Sequence, residues 1–274
     1  MMVSLSRGRV LIIAGSDSGG GAGIQADIKT VTCLGGFATT AVTALTAQNT
    51  KGVFGIHPVP ESFVRDQIAV VMEDIGADCI KIGMLATTGI IRAVSQALDD
   101  FAADVPVVLD PVMYAKGGHA LLEPDAVQAM KEMLIPKSFL ITPNLPEAGA
   151  LVGQDILDES SMVHAMDALR ELGSSAVLLK GGHLDGDLLV DLLIHADGVD
   201  RFQGERMFTR HTHGTGCTLA SAVATGLAQG LSPLASVTRA RDYVRVAIET
   251  APGFGHGHGP LNHNHTLQVH RAAH

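Results

Sequence analysis

Residues 10–14, Val-Leu-Ile-Ile-Ala, are an unbroken apolar run of strand length that ends abruptly at Gly15-Ser16-Asp17-Ser18-Gly19-Gly20-Gly21-Ala22-Gly23. A strand apolar on both faces has to be covered on both faces, which is the setting of a parallel sheet between helices. A helical pattern from Ala22 or Gly23 to about Leu34 follows the loop and completes a strand, glycine loop, helix unit. The arrangement recurs down the chain. Residues 79–82, 105–109, 138–141 and 176–179 read as short buried strands, and each gives way to polar or glycine-containing residues.

Between them the spacing predicts helices over residues 61–75, 87–101 and 124–134, from Ser160 or Ser161 to about Leu172, and over 233–250. Residues 37–45 suit a strand that delivers Thr46-Ala47-Gln48-Asn49 to its end, and 53–59 suit another. Residues 188–195 and 200–209, joined near Asp197-Gly198, read as a hairpin and hence an antiparallel edge on an otherwise parallel sheet. No linker interrupts the 274 residues, so the expectation is one three-layer α/β domain over 1–274.

With 46% apolar and 17% charged residues the chain is globular and not disordered. A formal charge of -9 argues against a nucleic-acid surface, and any phosphate site must generate positive potential locally. Cys33, Cys79 and Cys217 match neither a zinc site nor a disulfide framework, which suits a reducing cytoplasm. The first apolar run is too short for a signal or spanning segment, so no membrane role is expected. The glycine-spaced histidines at 256, 258 and 263 read as a mobile lid or surface tail, not a metal site.

Chemistry concentrates in His211-Thr212-His213-Gly214-Thr215-Gly216-Cys217-Thr218, which runs into a helix of small residues. Gly214 and Gly216 let successive amides point one way, and the helix dipole adds to them, so the turn suits an anion, phosphate first among them. Cys217 falls in the first helical turn, where that field is expected to lower the thiol pKa. The plainer alternative is a packing turn with an inert cysteine. No Walker pattern occurs, and the glycines after the first strand do not space as a dinucleotide motif. Other candidates lie at strand ends: Asp110, where open α/β sheets place ligands; Asn144 and Glu147, three apart and able to support hydrated magnesium or simply to cap a helix; Lys180 as a local cation; and Met84 as an apolar wall. Gln48 offers a donor and an acceptor side by side, fit for the edge of a heterocycle or simply for capping its loop.

Taken in order, these strand ends resemble the ribokinase-like superfamily. Within it Ala14-Gly15-Ser16-Asp17, Gly20-Gly21-Ala22-Gly23-Ile24-Gln25-Ala26-Asp27, Ala47-Gln48-Asn49, Lys81-Ile82-Gly83-Met84-Leu85, Asp110-Pro111-Val112-Met113, Thr142-Pro143-Asn144-Leu145-Pro146-Glu147-Ala148, Lys180-Gly181-Gly182-His183 and Thr212-His213-Gly214-Thr215-Gly216-Cys217 are similar to the hydroxymethylpyrimidine/phosphomethylpyrimidine kinases of thiamine biosynthesis. The resemblance implies two successive ATP-dependent phosphorylations at one site. It implies that Gln48 pairs with the pyrimidine while Gly15, Ala22, Asp27, Met84 and Val112 line its pocket, and that Cys217 is the base on the turn of Gly214, Thr215 and Gly216. It further implies that Asp110, Asn144 and Glu147 serve magnesium and phosphates, that Lys180 and Thr212 lie by the nucleotide, and that the protein is a homodimer. Cysteine at 217 also marks some pyridoxal kinases, which leaves pyridoxal as a rival substrate. The segment Tyr114-Ala115-Lys116-Gly117-Gly118-His119, in the position of a lid, departs from the more usual serine-containing loop. A non-catalytic sensor on the same fold would need a broken catalytic set.

Overall fold

The computed structural model describes residues 7–267 except 115–117, 119–120, 183 and 185, so most of the expected lid segment and His183 lie outside it. Among the described residues one sheet of nine strands carries the fold: β1 (Arg9–Asp17), β2 (Phe37–Asn49), β3 (Gly52–Pro58), β4 (Cys79–Ile82), β5 (Val107–Leu109), β6 (Leu140–Ile141), β7 (Ala176–Lys180), β8 (Leu188–His195) and β9 (Gly198–Glu205). Their order is β3-β2-β1-β4-β5-β6-β7-β8-β9. The six strands from β2 to β7 are parallel, as continuous apolar runs require. The hairpin β8–β9 forms the expected antiparallel edge, with β9 starting two residues early. A second antiparallel edge, β3 against β2, was not expected.

Period-two alternation divides the core between the two faces of the sheet. Val10, Ile12, Ala14, Cys79 and Val108 pack under α1 (Gly23–Cys33), α8 (Thr215–Ala228) and α9 (Pro233–Glu249). Leu11, Ile13, Ile80, Ile82 and Leu109 pack under α2 (Glu61–Asp74), α3 (Thr88–Phe101), α4 (Pro124–Met133) and α5 (Leu145–Val152). Helix starts follow their caps: Thr87 accepts from the Ile90 amide, and Ser232 from Ala235 ahead of Pro233. The helix expected from Ser160 or Ser161 to Leu172 begins earlier, capped by Asp158, and breaks at Ala165 into α6 (Glu159–His164) and α7 (Met166–Arg170).

Beyond the ladder, β1, β4, β5, β6 and β7 all deliver their carboxyl ends to one rim, where an open α/β sheet binds ligands. β1 continues through Gly15-Ser16 to Asp17 and β2 to Asn49, so residues expected in loops are held in register, Asp17 opposite Thr46. After β4, Ala86 adopts φ 66° although it is not glycine.

Candidate active site

Two glycine turns meet at this rim. Gly214 takes φ 83°, and a Cβ there would fall 1.8 Å from the Gly21 carbonyl oxygen. Gly23, at φ 55°, is likewise pressed on Gly15, where a Cβ would lie 2.4 Å from the carbonyl oxygen. These approaches exclude side chains and join the loop after β1 to the turn before α8. Asp17 organises the first loop by accepting from the amides of Gly19 at 2.8 Å, Gly21 at 3.1 Å and Ala22 at 2.8 Å. His213 Nε2 completes the join, 2.9 Å from Asp17 Oδ2. Burial opposes ionisation of Asp17, yet the His213 hydrogen bond and then the Ala22 amide hold its carboxyl below the usual range.

Gln48 is half-buried on β2 with Nε2 3.3 Å from the same His213 nitrogen and Oε1 accepting from Thr46 at 3.2 Å. Met84 Sδ stands where a Cβ on Gly15 would be 2.9 Å away, so these two expected wall residues are in contact. Val112 is half-buried just past β5, its amide donating to the Asp110 carbonyl. Asp27 is placed differently from the expectation of a pocket wall. It is 0% exposed, with Oδ2 2.8 Å from Lys81 Nζ and Oδ1 accepting from Ser221 at 2.6 Å. Both groups on that face of the sheet capture the carboxylate beneath the site.

Opposite Gln48, the N-terminus of α8 faces charged strand ends. A Cβ on Gly216 would be 3.5 Å from both Asp110 Oδ2 and Lys180 Nζ. Asp110 Oδ1 accepts from Lys180 at 3.2 Å and from Thr142 Oγ1 at 3.1 Å. Burial works against the Lys180 charge, but Asp110 and then Glu147 raise its pKa. Asn144 and Glu147 form a reciprocal capping box on α5, Asn144 Oδ1 taking the Glu147 amide at 2.9 Å and Glu147 Oε2 the Asn144 amide at 2.8 Å. Burial foremost, and Asp110 nearby, still push the Glu147 carboxyl well above the usual carboxylate range against the pull of Lys180. Thr212 is half-buried, and its carbonyl accepts from the Thr215 hydroxyl at 2.8 Å.

Cys217 departs from the sequence expectation. Its thiol is pushed up to about 12, first by burial; Lys81 opposes that, Asp27 and Asp110 add to it, and the Gly23 amide opposes it. A helix N-terminus acts over one turn, while desolvation and two carboxylates outweigh it. The histidine tail is also not free. The His213 amide donates to the Gly259 carbonyl at 3.1 Å, the His258 amide to Thr50 at 2.7 Å, and His263, only 4% exposed, meets Thr218 Oγ1 at 2.9 Å. Sequence reasoning assigned no role to Asp17, His213 or Lys81. A lysine inside the apolar run Cys79-Ile80-Lys81-Ile82 was the readable signal for the last.

A mostly parallel sheet with a phosphate-type turn and charged strand ends at its carboxyl rim is the ribokinase-like arrangement. The family described as phosphomethylpyrimidine kinase matches residues 17–262, and the chain belongs to it. It is 51% identical over 257 residues to the thiamine biosynthesis bifunctional protein ThiED of Geobacter sulfurreducens, covering 94% of this chain but only 52% of that longer protein. It is 47% identical to the hydroxymethylpyrimidine/phosphomethylpyrimidine kinase of Haemophilus influenzae, covering 93% of this chain and 96% of that one. Among solved structures, the ADP complex of Bacillus subtilis pyridoxal kinase superposes with a TM-score of 0.87 at 35% identity, over 94% of this chain and 98% of that one. The phosphomethylpyrimidine kinase of Clostridium difficile gives 0.78 at 39% identity, over 88% and 99%.

Proposed function

We propose that this kinase transfers the γ-phosphoryl group of ATP to the hydroxymethyl group of an aminopyrimidine, and then a second phosphoryl group to the monophosphate formed. One observation carries the reading: the contact of Gly21 with Gly214 sets the Gln48–His213–Asp17 cluster beside the amide turn that leads to Cys217. A heterocycle read by Gln48 would thereby present its alcohol to an anion cradle.

In the first transfer the thiolate fraction of Cys217, small but strongly basic because its thiol is pushed up to about 12, takes the proton of the alcohol, whose oxygen bonds to the γ-phosphorus while the bond to the departing ADP oxygen breaks. The amides of Gly214, Thr215 and Gly216 hold the phosphoryl oxygens, and Lys180 offsets their charge. In the second transfer the attacking group is a phosphate oxygen already anionic near neutral pH, so the base matters less. Asp110 and Glu147 fit magnesium in the way this ion is usually held, by one or two carboxylates with water and substrate phosphates completing its shell. Bound there, magnesium would neutralise phosphate charge. Asn144 supports that pair through its cap, and Gly15, Ala22, Met84 and Val112 line the ring site, with Asp27 beneath it. Thr212 extends the turn toward the nucleotide.

The protein is read as one domain over 1–274, cytoplasmic and homodimeric; the exposed Leu45 and Phe54 on the β2–β3 edge are apolar surface that a second copy would cover. Incubation with magnesium and ATP and each alcohol, followed by product masses, tests the reading. The pyrimidine should gain one and then two phosphoryl groups. Preference for pyridoxal with no second transfer would refute it.

A further inference from the structure

Gln48 lies between two groups whose protons are already committed. Asp17 takes the amides of Gly19, Gly21 and Ala22, which holds it as a carboxylate that can only accept, so His213 Nε2 at 2.9 Å carries the proton between them. The imidazole is buried and cannot turn away, since Gly21 stands so close that a Cβ there would fall 2.4 Å from His213 Cδ2. On the other side of Gln48, Thr46 Oγ1 has one proton and reaches the Ser16 carbonyl at 2.9 Å, nearer than Gln48 Oε1 at 3.2 Å. Thr46 therefore offers Gln48 lone pairs, and His213 offers it an N–H. A half-turn of the amide exchanges Oε1 and Nε2 in place and satisfies both neighbours, Oε1 receiving from His213 and Nε2 donating to Thr46. The opposite sense, with Nε2 3.3 Å from the His213 nitrogen, sets donor against donor. One sense of the amide is thus selected from two sides.

An amide free to turn reads two kinds of ring edge equally well. An aminopyrimidine presents an amino donor beside a ring-nitrogen acceptor, whereas its oxo analogue, of nearly the same shape, presents a carbonyl acceptor beside a ring N–H. A glutamine that cannot turn accepts one order and leaves the other unpaired. We propose that His213, braced by Asp17, fixes the sense of the Gln48 amide and so makes the site select an aminopyrimidine over the oxo analogue in which a carbonyl replaces the amino group. The inference rests on the reading of Gln48 as the partner of the ring edge. His213 acts through Gln48 and is a positioning residue. With Oε1 held toward His213 and Nε2 toward Thr46, one lone pair and one N–H remain for the ring, the amino group facing Oε1 and the ring nitrogen facing Nε2.

The sense of the amide is read by nuclear magnetic resonance in the wild-type protein, labelled with heavy nitrogen in its glutamine side chains. The Gln48 NH2 signals, identified by their loss in Gln48→Ala, should show stronger nuclear Overhauser effects to Thr46 than to the His213 ring; the reverse would overturn the proposal. Selectivity is the second readout, as kcat/KM for the aminopyrimidine divided by that for the oxo analogue. The wild type should prefer the aminopyrimidine at least about tenfold. In His213→Leu the ratio should fall by about 3- to 10-fold, the share of one hydrogen bond, and in His213→Gln, whose amide can still donate from the place of Nε2, it should recover. Made in the Gln48→Ala background, His213→Leu should leave the ratio unchanged, because no amide remains to be turned. A wild-type ratio in folded His213→Leu, or an equal fall in both backgrounds, would sink the proposal, since a merely structural histidine lowers the rates on both rings alike. An aminopyrimidine Kd unchanged in Gln48→Ala would instead remove the ring reading itself, an outcome visible before His213 is altered.

Discussion

At Cys217 a helix N-terminus and a desolvated, acid-flanked setting pull the thiol pKa in opposite directions, and desolvation wins. A positioned base is worth about 10² to 10⁴ in rate, so Cys217→Ala should lower kcat on the alcohol within that range and on the monophosphate by less. Nucleotide affinity should hold, because the proposed anion cradle is backbone; single-turnover rates on both acceptors check this. Gln48→Ala removes a donor and an acceptor from the proposed ring edge, at about 1 to 3 kcal/mol, or roughly one to two decades in Kd for the pyrimidine. Calorimetric titration showing an unchanged Kd would leave Gln48 as a partner of Thr46 and His213 alone. Gln48 and Cys217 stand out in the sequence because each sits on a local signal, a strand end or a glycine turn. Asp17 and His213 do not, since their bond spans 196 positions and only the finished sheet brings them together.

Among the elements, the turns at the rim tolerate least change. Gly214→Ala would need both a left-handed backbone and room already filled by the Gly21 carbonyl, so it should abolish transfer and lower Tm, while far-UV circular dichroism keeps the α/β signature. Ala86 gives the reverse case. At φ 66° an alanine is strained by about 1–2 kcal/mol, part of which glycine returns as unfolded-state entropy. Ala86→Gly should therefore stabilise the protein by up to about 1 kcal/mol in urea titration. Helices with an N-cap and an amphipathic period were legible almost to the residue, as Thr87 and Ser232 illustrate. The split of α6 from α7 was not, because continuous helical spacing across Ala165 conceals an interruption set by packing. Strand β1 ran past its expected end because its pairing with β2 resumes after an irregularity at Gly15 and continues to Asp17, while β2 reached Asn49 because its last residues pair with β3.

For the whole molecule, parallel order and three layers followed from apolar runs alone, whereas the β2–β3 edge carries little such signal, since most of β3 is solvent-facing or half-buried. If that edge pairs two copies, sedimentation should give a dimer that Leu45→Lys with Phe54→Lys splits to monomers. Acid should unfold the protein in a way that depends on His263. Burial first, then Lys29 and His265, depress its pKa to about 4 from 6.5, so the unfolded chain binds the extra proton between those values. Its contribution is complete above pH 6.5 and fades as the pH falls toward 4, in all about 3 kcal/mol. In His263→Gln the urea midpoint should change less over that window. His263 belongs to a strap, Gly257 to His263, that follows every described strand yet supplies the carbonyl that receives the His213 amide. A ribosome releases the sheet before it releases the strap, so the nascent protein passes through a stage at which its scaffold is built and its anion turn is still unbraced. The brace of the proposed anion turn thus comes after the sheet, a built-in delay between acquiring shape and acquiring chemistry.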